Sequence, residues 1–121
     1  MAKKSFVPSP AKIKVIGLGG GGCNAVRRMM HQHHQVRGVE YVVINTDVKS
    51  LELTSTVNSI HNSIQIGSHL TQGFGAGGDA RVGEMAAREN LMVLQKVLRG
   101  ADLVFVAAGM GGGTGTGSAP V

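Results

Sequence analysis

The sequence predicts an α/β fold in which a parallel sheet carries helices on its faces. Short apolar runs rich in β-branched residues alternate with segments whose apolar residues recur at helical spacing. This alternation favours right-handed crossovers and therefore parallel strands. Glycine supplies 19 of the 121 residues, whereas roughly 7% is usual. Fifteen of these glycines fall in three clusters, at 17–22, 73–78 and 109–117. A folded domain with glycine-rich loops explains them better than a collagen or low-complexity chain.

The predicted strands are four apolar runs bounded by glycine or polar residues: 12–16, 40–45, 63–66 and 103–108. The run Leu103–Ala108 is the most apolar and is predicted to be a buried strand, whereas the run 40–45 is typical of a strand buried on both faces. We expect a short helical turn at 48–53 and a polar loop at 54–62.

Apolar periodicity predicts one helix over Cys23–His34 and a second, capped by Asp79, that continues to about Leu98. Four methionines on these helices are expected to fill the core: Met29, Met30, Met85 and Met92. The cluster His31, His33 and His34 is interpreted as a polar helix end rather than a metal site.

Size, charge and cysteine content narrow the functional classes. The chain fits one domain, and its one cysteine, Cys23, excludes an intrachain disulfide. Residues 1–11 are predicted to be a flexible tail without signal-peptide character, and no apolar run is long enough for a membrane span. The net charge of +5 arises in residues 1–39, which hold seven basic and no acidic residues. With 3% aromatic residues, a basic tail and a solvated helix face explain this charge better than nucleic-acid binding.

The three glycine clusters are predicted to form one polyphosphate site. Ligands bind beyond the carboxyl ends of parallel strands, and each cluster is expected at such an end or just before a helix. Glycine lets backbone N–H groups approach an anion, and helix N-termini add free donors. Gly17, Gly19 and Gly22 also fit the dinucleotide fingerprint of Rossmann-like folds, with Asp47 as the ribose ligand. An NAD-dependent oxidoreductase is therefore an alternative, whereas a Walker A motif is absent.

The third cluster resembles the phosphate-loop signature of the tubulin/FtsZ family. The sequence GGGTGTG at 111–117 carries this resemblance. Residues 13–26 are similar to the first nucleotide loop of FtsZ proteins, Asn45-Thr46-Asp47 to the second, and 64–67 with 73–78 to the third. The resemblance implies that 12–121 is an incomplete tubulin-type nucleotide-binding domain, cut off after its fourth strand.

The resemblance implies GTP and GDP as ligands, with Mg²⁺ held mainly by the phosphates. The residues carried over by position as nucleotide contacts form three groups: Gly20, Gly21, Gly22, Cys23 and Asn24; Gly77 and Gly78; and Gly111, Gly112, Gly113, Thr114 and Gly115. Asp47 would lie in a loop near the subunit contact. No metal ligand is expected. The acidic catalytic loop and the guanine-recognition residues come later in this family, so no catalytic residue is expected in this chain.

FtsZ proteins polymerise head to tail and build the cytoplasmic midcell ring that directs bacterial division. The resemblance therefore implies self-association, contact with other division proteins through later parts of the chain, and only indirect membrane contact. GTP hydrolysis is expected of the full-length family member. We expect the isolated chain to lack turnover and to bind GTP weakly or not at all. A non-catalytic capping truncation is the second alternative.

The chain departs from the family pattern at three positions near the predicted site. Cys23 replaces a residue that is usually Asn or Gly, and it is interpreted as a small residue at a helix start rather than a nucleophile. Asp79 and Arg81 stand where Asn and Glu are usual. A carboxylate beside a triphosphate is expected to weaken binding unless Arg81 or Mg²⁺ offsets its charge.

Overall fold

A computed structural model describes residues 11–32, 38–55 and 62–121. In these ranges the strands are β1 (Ile13–Leu18), β2 (Val39–Asn45), β3 (Asn62–Gln65) and β4 (Leu103–Ala108). The helices are α1 (Gly19–Gln32), α2 (Val48–Ser55), α3 (Ser68–Thr71), α4 (Ala80–Glu89), α5 (Leu91–Leu98) and α6 (Gly113–Ser118). The predicted tail, except Ala11, lies outside the described residues, as do His33, His34 and most of the predicted polar loop.

The four strands form one parallel sheet in the order β3-β2-β1-β4. The predicted fold class is therefore confirmed. Leu18 at the end of β1 pairs with Ile44 of β2 on one side and with Ala108 of β4 on the other. This register brings the carboxyl ends of three strands to the same edge of the sheet, where the candidate site lies.

The core is divided between the two faces of the sheet, because side chains alternate along each strand. One face buries Ile16 and Leu18 of β1 and Val42 and Ile44 of β2 against Ala86 and Ala87 of α4. The other face buries Val15, Tyr41 and Val43 against Cys23 and Val26 of α1 and Leu51 of α2. Helices on both faces explain why the central strands read as continuous apolar runs.

The single helix predicted after Asp79 is in fact two helices. Asp79 does cap α4, since its Oδ1 accepts a hydrogen bond from the Arg81 backbone N–H at 2.9 Å. The helix then ends at Asn90, whose backbone leaves the helical region with φ −110° and ψ 27°. The Asn90 side chain accepts a hydrogen bond from the Gly67 N–H at 2.8 Å. This tertiary contact stabilises the break.

β4 is less buried than its apolar sequence predicts, since Leu103, Phe105 and Val106 are each about half exposed. Among the described strands, β4 has a neighbour on one side only, and α5 contains no fully buried residue. Three of the predicted core methionines are also exposed: Met29, Met85 and Met92. Met30 alone of the four packs against the core. No helix in the described ranges is long and apolar enough to cross a bilayer.

Candidate functional site

A cavity of about 430 Å³ lies at the carboxyl edge of the sheet. Its wall is built from the ends of β1, β2 and β4 and from the loop before α4. The lining residues are Leu18, Gly19, Gly20, Gly21, Asn45, Thr46, Asp47, Ser50, Phe74, Gly75, Ala76, Gly77, Gly78, Gly109, Gly112, Gly113, Thr114 and Gly115. All three glycine clusters contribute to this wall, as the topology predicts.

Two of the three glycine clusters are partly helical rather than entirely loops. Gly19–Gly22 form the first turn of α1, which therefore begins four residues before the predicted start. In the third cluster, α6 spans Gly113–Ser118 and ends where the sequence suggests that a helix begins. Only the second cluster is a loop, and its glycines 73, 75, 77 and 78 all have positive φ, which L side chains rarely adopt.

Close backbone packing explains several of these glycines. A Cβ on Gly83 of α4 would overlap the carbonyl oxygen of Gly113, and a Cβ on Gly117 would overlap that of Ala80. A Cβ on Gly19 would lie 2.9 Å from the backbone nitrogen of Gly115. These glycines let α4, α6 and the start of α1 pack against one another directly behind the cavity.

Eight of the twelve residues predicted to bind nucleotide line the cavity: Gly20, Gly21, Gly77, Gly78, Gly112, Gly113, Thr114 and Gly115. The other four do not line it. Gly22 packs against the carbonyl oxygen of Ala107, and Cys23 is buried in the core. Asn24 and Gly111 are exposed beside the cavity wall. The predicted residues therefore cluster at one edge of the sheet. From α1, only Gly19, Gly20 and Gly21 of the first turn line the cavity.

Cys23 has the environment of an inert core thiol. Its Sγ lies 3.7 Å from the Gly17 carbonyl oxygen and 3.6 Å from that of Ile44. Burial raises the pKa of this thiol from 9.0 to about 11, and the hydrogen bond with Ile44 opposes the shift in part. Because the thiolate is the reactive form, this geometry agrees with a packing role and not with a nucleophile.

Two buried threonines beneath the cavity were only partly anticipated. The Oγ1 atoms of Thr46 and Thr114 lie 2.7 Å apart, and both side chains are buried. Thr114 is among the predicted contacts, whereas Thr46 is predicted only as part of the segment Asn45-Thr46-Asp47. The signal that points to Thr46 is its place directly after β2, because polar residues at that position reach the sheet edge.

The second strand ends in a turn held by its own side chains. Asn45 Oδ1 accepts hydrogen bonds from the backbone N–H groups of Thr46 at 2.8 Å and Asp47 at 3.3 Å. Asp47 Oδ1 in turn accepts from Lys49 N–H at 3.0 Å and caps the start of α2. Phe74, which bridges to Asp47, stands at the rim of the cavity with 85% of its surface exposed.

The electrostatics of the site depend on backbone groups. No residue that lines the cavity has a cationic side chain, and Asp47 is the one carboxylate among them. Asp79 lies next to the wall and forms an ion pair with Arg81 at 3.4 Å. The Arg81 backbone N–H, and then its guanidinium, lower the pKa of the Asp79 carboxyl. Arg81 therefore does lie where it can offset the Asp79 charge. The described residues contain no group of three or more potential metal ligands.

The fold and the cavity are those of a nucleotide-binding domain of the α/β class, and glycine backbones and the Thr114 hydroxyl line the cavity. The family model for the GTPase domain of the Tubulin/FtsZ family matches residues 12–121. The chain belongs to this family. Membership of this family does not favour the alternative that the chain is an NAD-dependent oxidoreductase.

The similarity extends to curated relatives and to solved structures. The chain is 51% identical over 113 residues to the cell division protein FtsZ of Neisseria meningitidis, covering 93% of this chain and 27% of that protein. An FtsZ dimer of M. jannaschii is 39% identical with a TM-score of 0.84, over 98% of this chain and 33% of that one. CetZ2 from Haloferax volcanii, in a GTPγS-bound protofilament, is 27% identical with a TM-score of 0.73, over 90% and 34%. The chain thus spans about a quarter of the length of the curated relatives.

Proposed function

We propose that residues 12–121 form the N-terminal part of the GTP-binding domain of an FtsZ-type cell division protein, and that they hold the phosphates of GTP or GDP. The observation that carries this proposal is the pair Gly20 and Gly112. Both line the cavity, neither has a positive φ, and a Cβ on either would meet nothing within 4 Å. Packing and backbone strain therefore do not account for glycine at these positions, whereas space for a ligand does.

The donors in the wall fit an anionic ligand. The first turn of α1, at Gly19–Gly22, has backbone N–H groups without partners inside the helix, and the helix dipole favours negative charge there. Gly77 and Gly78 expose further backbone in a loop whose positive φ only glycine adopts easily. Thr114 adds one hydroxyl. A phosphate chain that spans the three clusters would accept hydrogen bonds from each of them.

The chain's own residues give little support for a dedicated metal site. Asp47 is the one carboxylate in the wall, and its Oδ1 is occupied by the cap of α2. We therefore infer that Mg²⁺ is held mainly by the phosphates, whose charge it neutralises. Of the remaining residues of the predicted set, the buried Gly22 and Cys23 are proposed to support the wall from behind, whereas the exposed Asn24 and Gly111 are proposed to meet the nucleotide outside it.

In the whole protein, we infer that this site lies at a subunit contact of a head-to-tail filament, where GTP is hydrolysed. The chain supplies the phosphate-binding side, and the exposed rim at Phe74 faces the next subunit. The cytoplasmic division ring at midcell, contact with other division proteins and indirect membrane contact follow from the same family assignment.

Titration of the ¹⁵N-labelled chain, followed by NMR, tests phosphate binding. We expect GTP and inorganic tripolyphosphate to shift the amide signals of Gly20, Gly21, Gly77, Gly78 and Gly112 in a weak but saturable manner, and NAD to act more weakly. Tighter binding of NAD, or shifts confined to surface lysines and arginines, would overturn the proposal.

The variant Gly20→Ala separates ligand binding from folding. Alanine is the better helix former, so the free energy of unfolding is expected to stay equal or rise. The added methyl group enters the cavity, so the affinity for tripolyphosphate is expected to fall. Unchanged affinity with raised stability would show that the open space at Gly20 does not serve a ligand.

A further inference from the structure

The hydroxyl pair beneath the cavity joins two distant parts of the chain. Thr46 follows β2 and has no exposed surface, and Thr114 lies in α6 with 6% exposed. Their Oγ1 atoms are 2.7 Å apart, so one hydroxyl donates to the other. Both residues also form part of the cavity wall. A ligand in the cavity therefore meets the pair and not an isolated Thr114.

The backbones on both sides of this pair are held in place. The Thr46 N–H donates to Asn45 Oδ1 at 2.8 Å. The Thr114 carbonyl oxygen accepts from the Ser118 hydroxyl. Because neither backbone is free to shift, the two Oγ1 atoms keep their separation, and the remaining freedom is the direction of the two hydroxyl hydrogens.

The number of hydrogens on the two hydroxyls determines whether Thr114 can donate into the cavity. Each hydroxyl has one hydrogen to donate and two lone pairs to accept with. If Thr114 donates to Thr46, its hydrogen is consumed, and Thr114 can only accept from the cavity side. If Thr46 donates to Thr114, the Thr114 hydrogen is left to donate into the cavity. An anion in the cavity accepts hydrogen bonds, and it therefore selects the second arrangement.

We propose that Thr46 is a positioning residue for anion binding. It donates to Thr114 and so turns the Thr114 hydroxyl hydrogen toward a phosphate oxygen in the cavity. This inference rests on the proposed function. It adds a role in phosphate binding for the turn Asn45-Thr46-Asp47. A donor that is itself hydrogen-bonded is also the stronger donor, because aligned hydroxyls polarise one another.

A double-mutant cycle on the ¹⁵N-labelled chain, with inorganic tripolyphosphate as the probe, tests the proposal. Thr114→Val is expected to weaken binding about tenfold, since it removes a hydrogen bond to a charged group. Thr46→Val is expected to weaken it about fivefold, and Thr46→Ser, which keeps the hydroxyl, less than twofold. The double variant is expected to bind no more weakly than Thr114→Val alone, because the two residues act through one hydrogen.

Thr71→Val is the matched control for a structural role. Thr71 is also buried and also hydrogen-bonded to this turn, but its hydroxyl reaches the backbone of Thr46 and not Thr114. We expect Thr71→Val to lower the free energy of unfolding, measured in urea, while the affinity stays within twofold. An affinity loss equal to that of Thr46→Val would mean that loop stability, and not the hydroxyl, controls binding, and it would overturn the inference. Additive effects in the double-mutant cycle would do the same.

A readout without ligand separates this inference from the proposed function. Scalar couplings report the χ1 rotamer of Thr114 in the free chain. We expect one rotamer in the unaltered chain and in Thr46→Ser, and rotamer averaging in Thr46→Val. If Thr46→Val shows rotamer averaging but neither the unaltered chain nor any variant binds tripolyphosphate, the proposed function is contradicted. Binding by the unaltered chain that Thr46→Val leaves intact contradicts the role of Thr46 alone.

Discussion

The carboxyl edge of the sheet and the outer flank formed by β4 and α5 differ in what their residues contact. At the carboxyl edge, backbone packs on backbone, and the buried hydroxyls have partners. The described residues contain no buried side-chain nitrogen or oxygen without a hydrogen bond. On the outer flank, apolar side chains such as Phe105, Val106 and Met92 are exposed.

The two regions therefore depend on different interactions. The carboxyl edge is sensitive to added atoms at the glycines that have no room for a Cβ, such as Gly19, Gly113 and Gly117. The outer flank is tolerant of lost atoms, because its side chains are only partly removed from water. The following predictions test this difference, from the largest expected change in the free energy of unfolding to the smallest.

Gly117→Ala is expected to lower the free energy of unfolding by about 3 kcal/mol, because overpacking forces α4 and α6 apart. A Cβ at this position would overlap the Ala80 carbonyl oxygen. Urea denaturation followed by circular dichroism measures the effect. Gly111→Ala is the control, since a Cβ there meets nothing within 4 Å, and its stability is expected to change by no more than about 0.5 kcal/mol. Equal losses in both variants would contradict the packing argument.

High pH is expected to destabilise the chain through Cys23. Burial raises the pKa of this thiol from 9.0 to about 11, so the folded state holds its proton more tightly than the unfolded state does. The stabilisation is fully present below pH 9 and is lost as the pH rises toward 11. The loss amounts to about 3 kcal/mol. Urea titrations from pH 8 to 11 measure it, and Cys23→Ala is expected to have a shallower pH dependence. Identical slopes for the two proteins would rule out this thiol as the cause.

Phe105→Ala is expected to lower the free energy of unfolding by less than about 1 kcal/mol, whereas a buried Phe→Ala change typically costs 3–5 kcal/mol. Phe105 is 54% exposed. Light scattering is expected to show less self-association in the variant, because an apolar edge strand promotes it. Ile16→Ala, on the neighbouring strand and 3% exposed, is expected to cost about 2–5 kcal/mol. A loss at Phe105 as large as at Ile16 would show that β4 is covered in solution.

Local sequence signals were sufficient for the central sheet and for the edge of the sheet at which the cavity lies. The runs that form β1 and β2 are mostly apolar, as burial on both faces requires, and the first and third glycine clusters lie at strand ends. The same reasoning does not predict the exposure of β4. Apolar residues show that a strand favours burial, but they do not show which other elements cover it. Met29, Met85 and Met92 were misassigned for the same reason.

Other features depend on contacts between residues distant in sequence. Asn90 is compatible with a helix interior, and the helix breaks there because its side chain binds the backbone of Gly67. The glycines of the third cluster predict a loop by propensity, yet α6 forms because Gly113 and Gly117 let it pack closely on α4. The place of Thr46 after β2 points to the sheet edge, but its pairing with Thr114, 68 positions later, is visible only in the folded chain.

The contact between α4 and α6 also affects how the glycine motif at 111–117 should be interpreted. Gly113 and Gly117 are required by the neighbouring helix, whether or not anything occupies the cavity. A descendant protein that kept this architecture but had given up its nucleotide would still have to retain both glycines. The motif is therefore a dependable marker of ancestry and a weaker marker of activity. Gly20 and Gly112, which the architecture alone does not require, are the positions at which such a protein would be free to change.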